Sequence, residues 1–455
     1  MIGLEEIDVE RIATALEGLP TAFDSPPHVY TVCCPRFVPA RFAERQQPTG
    51  DKLRLYVHIP FCHYKCTFCT FTIRVGAKRE AMEKYVDALC RELDWIRPGY
   101  SLSQLFVGGG TPTSLPPDLL DTVLAKVFER VVPLNQRFHT VESSPETVTR
   151  EHVDVLLKWG IGRVSMGIQS LEDQVLDGMK RRHTPDQAVE ACRMLVGSGL
   201  LVNIDLIYGL PGQTAESFRR DLQKVSDLGV QALTLYNLRT NEHTPIRRLL
   251  SEPERPNLAT LLRWRMLVRD TTAELGYVQT RWYTFKKAHS IALRHQWQQT
   301  FDTVGNGFQI GVGNSARSHL GFAEYRNVRE LEKYAECMLS GQSPVEEVFQ
   351  LDEEDRRAQF ISRSIGDGGI LDRQVYQEAF GRSFDDDYGQ TLDILRGAAL
   401  VEDDGCRIGL SEAGRLIHDR VTLSLFPKRA LEWLKAKQSR ADVAGPVVER
   451  PSSTH

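Results

Sequence analysis

The chain has 455 residues, 41% apolar and 25% charged, a composition that suits a globular protein with one large domain and a smaller one. A net charge of −4, with Lys and Arg spread along the chain, speaks against a nucleic-acid partner. No run approaches the roughly 20 apolar residues of a membrane span, and the acidic start (Glu5, Glu6, Asp8, Glu10) is unlike a secretory signal, so the expectation is a cytoplasmic, monomeric protein without a membrane partner.

Residues 1–50 read as an irregular extension, broken by Pro26, Pro27, Pro35, Pro39 and Pro48. Residues 53–59 alternate and are rich in strand formers, which predicts a strand running straight into a cysteine loop. Residues 78–97 carry Met82, Tyr85, Val86, Leu89, Leu93 and Ile96 at helical spacing. Strands are then predicted at Gln104–Val107, Phe138–Glu142, Arg163–Ile168, Val202–Ile207 and Ala232–Tyr236. Helices are predicted between them at Pro117–Arg130, Thr149–Trp159, Pro185–Ser198 and Thr214–Asp227. Six β–α units in succession imply an α/β fold: a partial, open (β/α)6 barrel over 51–300 with its site at the C-terminal strand ends. Residues 301–350 read as a connecting segment beside the barrel, and 351–430 as a mainly helical, winged-helix-like domain with a hairpin from Val401 to Leu410. Residues 437–455 are polar and expected to be disordered.

Nine cysteines are present, and three of them cluster as Cys62-x3-Cys66-x2-Cys69. Clustered thiolates in a reducing compartment point to a metal or iron–sulfur site rather than a disulfide framework. Three thiolates can hold three irons of a [4Fe–4S] cube and leave the fourth open for a ligand. The spacing alone also suits structural zinc, with His58 or His63 as fourth ligand. Cys33, Cys34, Cys90, Cys192, Cys337 and Cys406 read as ordinary thiols.

Gly108-Gly109-Gly110-Thr111-Pro-Thr113 follows the second strand, where glycines let a ligand approach the backbone. Glu142 and Gln169 end the third and fourth strands, and Asp205 lies in the fifth, at positions that face ligand in a barrel of this kind. Tyr208-Gly-Leu-Pro-Gly-Gln-Thr214 reads as a structural turn and helix cap. His289, His295 and His319 read as surface or satisfied residues, one of which is a candidate base. Trp282, Tyr283 and Trp297 read as core, with an aromatic wall for a flat substrate as the alternative.

The motifs LYVHIPFCHYKCTFC, GGGTPT, RVSMGIQS, NIDLIYGLPGQT and GVGNSARS resemble the HemN-like radical S-adenosylmethionine (SAM) family over roughly 53–320, with a weaker match to about 425. The resemblance implies a [4Fe–4S] cluster on Cys62, Cys66 and Cys69 and two SAM molecules. It puts Tyr56, Gly109, Glu142 and, by position only, Arg239 and Arg317 around the first SAM. Phe68, Gly110, Thr111, Gln169, Arg181 and Asp205 fall around the second, with Gln169 and Asp205 counted with the cysteines as catalytic. It also implies an electron donor of the flavodoxin or ferredoxin type and a small-molecule substrate.

Departures from the family choose among reactions. The coproporphyrinogen dehydrogenase of the family has a fourth cysteine where this chain has Phe71. The heme chaperones begin almost at the first strand and carry a histidine motif, whereas here about fifty residues precede that strand and the matching region reads Thr280-Arg-Trp-Tyr-Thr-Phe285. The first expectation is therefore a methylase or cyclopropane-forming enzyme that passes a SAM-derived carbon to an sp2 carbon of a natural product. The alternatives are a coproporphyrinogen dehydrogenase-like or heme-cleaving enzyme, and a heme chaperone.

Overall fold

The computed structural model describes residues 37–40, 50–134, 136–240, 244–250, 257–294, 308–321 and 323–443, with side chains to 436. Cys33, Cys34, His295, Trp297 and most of the 1–50 extension lie outside the described residues. The chain forms two compact units, one holding 36–352 with 367–369 and the other 353–366 with 370 onward.

The first unit is built on β1 (Lys52–Ile59), β2 (Tyr100–Gly109), β3 (Thr140–Ser143), β4 (Arg163–Gln169), β5 (Leu201–Tyr208) and β6 (Ala232–Asn237), paired in parallel and in chain order. That order, each strand beside the next, is the signature of a barrel wall rather than a doubly wound sheet. The strands alternate with α1 (Arg79–Asp94), α2 (Pro117–Arg130), α3 (Arg150–Lys158), α4 (Pro185–Gly197), α5 (Ala215–Asp227) and α6 (Leu258–Glu274). Thr149, Thr184 and Thr214 start α3, α4 and α5 by accepting the N3 backbone N–H, each in a capping box.

Period-two alternation sorts each strand. In β1, Leu53, Leu55, Val57 and Ile59 are fully buried with Tyr85, Val86 and Leu89 of α1 in the apolar layer under the helices. Each such residue contributes roughly 1.5–3 kcal/mol by burial. The intervening Arg54, Tyr56 and His58 point the other way, and polar residues do the same along β4 and β5. The barrel therefore has an apolar outside and a polar lumen.

Residues beyond the sixth strand extend the sheet at both edges. β7 (Tyr277–Gln279) and β8 (Thr284–Lys287) form an antiparallel pair, with β8 on β6. The chain then returns: β9 (Gln309–Val312) pairs in parallel with β1, followed by antiparallel β10 (Arg317–His319), β11 (Ala323–Asn327) and β12 (Val345–Gln350). The described part of 301–350 thus continues the barrel sheet itself rather than lying beside it. The reason is visible in Gly311, where an added Cβ would collide with the Arg317 carbonyl oxygen, and in Gly313, where it would sit 2.7 Å from that of His58. Gly313 lets this segment press against the first strand, and Gly311 lets β10 fold back onto β9.

The second unit contains helices Glu353–Arg363, Arg373–Phe380 and Phe384–Gly397, the hairpin Val401–Asp403/Arg407–Leu410 joined by Leu371–Asp372, and three closing helices. The last of them, Lys428–Val443, enters the stretch expected to be disordered; its Ala, Leu, Lys and Glu content explains the helix. Residues 444–455 lie outside the described residues. Among the described residues no helix is long and apolar enough to cross a membrane.

Candidate active site

β1 ends at Ile59 and the cysteine loop begins three residues later, at the C-terminal end of the parallel sheet. The glycine turn after β2 clamps this loop. Gly110 N–H donates to the Ile59 carbonyl at 2.7 Å and Thr111 N–H to that of Phe61 at 2.8 Å. Gly109 has φ +116°, and a Cβ on Gly110 would lie 2.6 Å from the Phe61 oxygen. The three glycines are therefore a tight joint holding the loop to the barrel.

Cys62 and Cys69 both lie within reach of the Cys66 charge. Burial pushes Cys62 up to about 11, with Thr111 opposing and the charges of Cys69 and Cys66 adding to the rise. Cys69 is shifted upward by burial, with Cys66 adding to it. Thr111 Oγ1 lies 3.6 Å from Cys62 Sγ, and Arg181 Nη1 donates to Cys66 Sγ at 3.6 Å. None of the three is in a disulfide. Beside them, buried Tyr64 Oη, Thr67 Oγ1 and Arg181 Nε have no hydrogen-bond partner. Among the described residues no three His, Cys, Asp or Glu groups converge on a point that a single metal ion could fill. Three free thiols on one loop, beside buried polar atoms without a partner, are a donor set that fits three irons of a [4Fe–4S] cluster. His58 is turned inward, its Nδ1 3.1 Å from Tyr56 Oη and its pKa pulled down to about 4 by burial, against a hydrogen bond to the Thr72 backbone carbonyl.

The lumen beyond the loop holds paired carboxyl groups. Glu142 Oε2 accepts from Gly109 N–H at 3.1 Å, and burial, with the Asp205 charge added, pushes its pKa up to about 7. Asp205 accepts from Asn203 Nδ2 at 2.7 Å and Ser165 Oγ at 3.3 Å; burial raises it to about 6 against the charge of Arg163. Arg163 is buried in the same lumen and donates to Thr140 Oγ1 at 3.3 Å. Gln169 stands at φ +76°, in the left-handed region, where β4 is offset against β5. Such a residue costs about 1–3 kcal/mol and is held there by its surroundings.

Of the residues singled out from sequence, Tyr56, Gly109, Gly110, Thr111, Glu142, Gln169, Arg181 and Asp205 stand with the three cysteines around this end of the barrel. Tyr56 stacks on Phe106 with ring centroids 6.2 Å apart. Phe68 packs on an apolar cluster that includes Ile207 and Leu238. Arg239 donates to Tyr283 Oη at 2.6 Å, and Tyr283 stacks on Tyr236. Arg317 lies over the Phe37 ring instead, 5.4 Å from its centroid. Trp282 is buried, and His319 pairs with Glu324 at 3.5 Å. The sequence reading passed over Tyr64, Glu146, Arg163, His183 and Asn203. Strand alternation signals Arg163 and Asn203, which share a face with Ser165 and Asp205.

The radical SAM superfamily model matches residues 56–225. The chain is 28% identical over 399 residues to the oxygen-independent coproporphyrinogen III oxidase of Escherichia coli, covering 83% of this chain and 85% of that one. It is 27% identical over 371 residues to the heme chaperone HemW of Lactococcus lactis, covering 79% and 93%. The solved coproporphyrinogen III oxidase (HemN) of E. coli, a radical SAM enzyme, superposes with a TM-score of 0.74 at 25% identity, over 89% of this chain and 96% of that one. Residues 56–225 are a radical SAM domain, and the chain is similar to HemN over most of its length. The cofactors of a radical SAM domain are a [4Fe–4S] cluster and SAM.

Proposed function

We propose that this HemN-like protein is a radical enzyme of the coproporphyrinogen oxidase type, taking hydrogen from a carboxylated tetrapyrrole-like substrate. The observation that carries this reading is the meeting of the cysteine loop, glycine turn and carboxyl-lined lumen at one end of a barrel that matches HemN along nearly its whole length. The long matches to a coproporphyrinogen oxidase and a heme chaperone favour it over the natural-product methylation that the departures from the family suggest.

Cys62, Cys66 and Cys69 would hold the cluster, which with SAM supplies a 5′-deoxyadenosyl radical once a flavodoxin- or ferredoxin-type carrier delivers an electron. Glu142 offers a carboxylate to the SAM ammonium group and is itself steadied by Gly109. Tyr56 closes that side, with Arg239 and Arg317 assigned to the same SAM by position. Phe68, Gly110, Thr111, Gln169, Arg181 and Asp205 would take the second SAM. Positioning is the main contribution of these side chains, because hydrogen abstraction requires near contact. Replacing any of the three cysteines by Ala should abolish both iron retention, about four per chain, and SAM cleavage. A zinc-only protein with full activity would sink the reading.

A second reading, methylene transfer from the second SAM to an sp2 carbon, is favoured by Phe71. It stands, 61% exposed, where the dehydrogenase has its fourth cysteine. SAM carrying a deuterated methyl group separates the two. Unlabelled 5′-deoxyadenosine, with the label left in methionine, supports hydrogen abstraction from substrate. Deuterium in 5′-deoxyadenosine, with two deuteriums kept in the product, supports methylene transfer.

A further inference from the structure

Arg181 is drawn toward the cluster loop by more than one contact. Its Nη1 donates to Cys66 Sγ at 3.6 Å and its Nη2 donates to the Gly167 carbonyl. Its guanidinium lies over the Tyr64 ring, 5.6 Å from the centroid, and Arg182 stands equally far from the same ring. The backbone fixes the approach: Arg181 N–H donates to the Leu176 carbonyl at 2.9 Å, and Thr67 N–H, next to Cys66, donates to Met179 at 3.2 Å. Behind the guanidinium, Glu146 Oε2 is 3.5 Å from Nδ1 of the fully buried His183. Burial alone would raise the Glu146 pKa, but His183, the Arg181 charge and a backbone hydrogen bond outweigh it and hold it at about 2, so an anion faces the arginine.

We propose that Arg181 sets the reduction potential of the cluster through Cys66, and that Tyr64, Glu146 and His183 form the seat that holds it there. The inference rests on Cys66 being a cluster ligand. One added electron makes the cube and its thiolates more negative. A cation hydrogen-bonded to one of those sulfurs favours the reduced form and raises the potential. Tyr64, Glu146 and His183 act through Arg181 and are positioning residues.

The test is a redox titration, followed by electron paramagnetic resonance, of the anaerobically reconstituted full chain. Arg181→Gln should lower the reduced-to-oxidised ratio at a set potential about tenfold, a midpoint shift of about 59 mV for one electron. Arg181→Lys, which keeps the charge but loses the fork, should shift by less than half as much. Glu146→Gln should lower the midpoint in the natural background by loosening the arginine. In the Arg181→Gln background it should raise the midpoint, because only the loss of a negative charge remains. An unshifted midpoint in both Arg181 variants with iron retained overturns the proposal. A shift of the same sign in both backgrounds removes Glu146 from it. If Arg181→Gln sheds its iron, the neutral Arg181→Met takes its place: a natural midpoint there overturns the proposal. Full iron and a natural spectrum in Cys66→Ala would instead overturn the ligand assignment beneath it.

Discussion

Glu142 and Asp205 are held in the lumen at a cost that depends on pH. Their folded pKa values, about 7 and about 6, lie above the ordinary 4.5 and 3.8. The folded state therefore keeps protons that the unfolded chain has lost, and stability falls as pH rises from about 4 to 7. Glu142→Gln in the cluster-free protein should recover on the order of 2 kcal/mol at pH 8 relative to pH 5, since the half-open lumen screens part of the effect. Thermal unfolding at the two pH values reads this out, and an equal change at both would remove burial as the cause. The same variant should bind SAM at least about tenfold more weakly, having lost the charge that meets the ammonium group. Glu142, Gln169 and Asp205 were legible as candidates because strand alternation places them inward. Glu146 and His183 were not, because they follow strand and helix ends, where no period applies and only the folded chain brings them to Arg181.

The joint between the glycine turn and the cysteine loop behaves as one element. An Ala at Gly110 would meet backbone atoms of Ile59, Pro60 and Phe61 within 3.0 Å, none of which can swing aside. Gly110→Ala should cost about 1–3 kcal/mol and at least halve the iron retained after reconstitution. Gly197→Ala, near the end of α4 with nothing within 4 Å of the new methyl, is the control and should leave both unchanged. Natural iron content in Gly110→Ala would show that the joint yields. At this scale the sequence was readable: the six barrel strands and the α2–α5 helices lie where hydrophobic period and Thr caps put them. β9–β12 were not readable, because their runs are short, interrupted by the turn Gly313-Asn314-Ser315-Ala316, and paired with a strand more than 250 residues away in one case.

At the scale of the first unit, one buried carboxylate ties early chain to late chain. Glu92 of α1 is fully buried and accepts from Gly313 N–H at 2.7 Å, Asn327 Nδ2 at 2.8 Å and Tyr334 Oη at 2.6 Å. Glu92→Gln keeps the shape but turns one oxygen into a donor facing donors. It should cost about 2–4 kcal/mol and lower the thermal midpoint by several degrees; an unchanged midpoint would mean the contacts re-form elsewhere. The pairing of β9 with β1 follows the same path back along the chain. During synthesis, every residue through α6 can leave the ribosome while the far edge of β1 still lacks its neighbour, which arrives only with Gln309–Val312. Until then the strand that leads into Cys62 is an open sheet edge, exposed to pairing with other chains. The strand that leads into the cysteine loop is thus closed only in the nearly finished chain, and rapid overproduction should trap half-built barrels in aggregates whatever the iron supply.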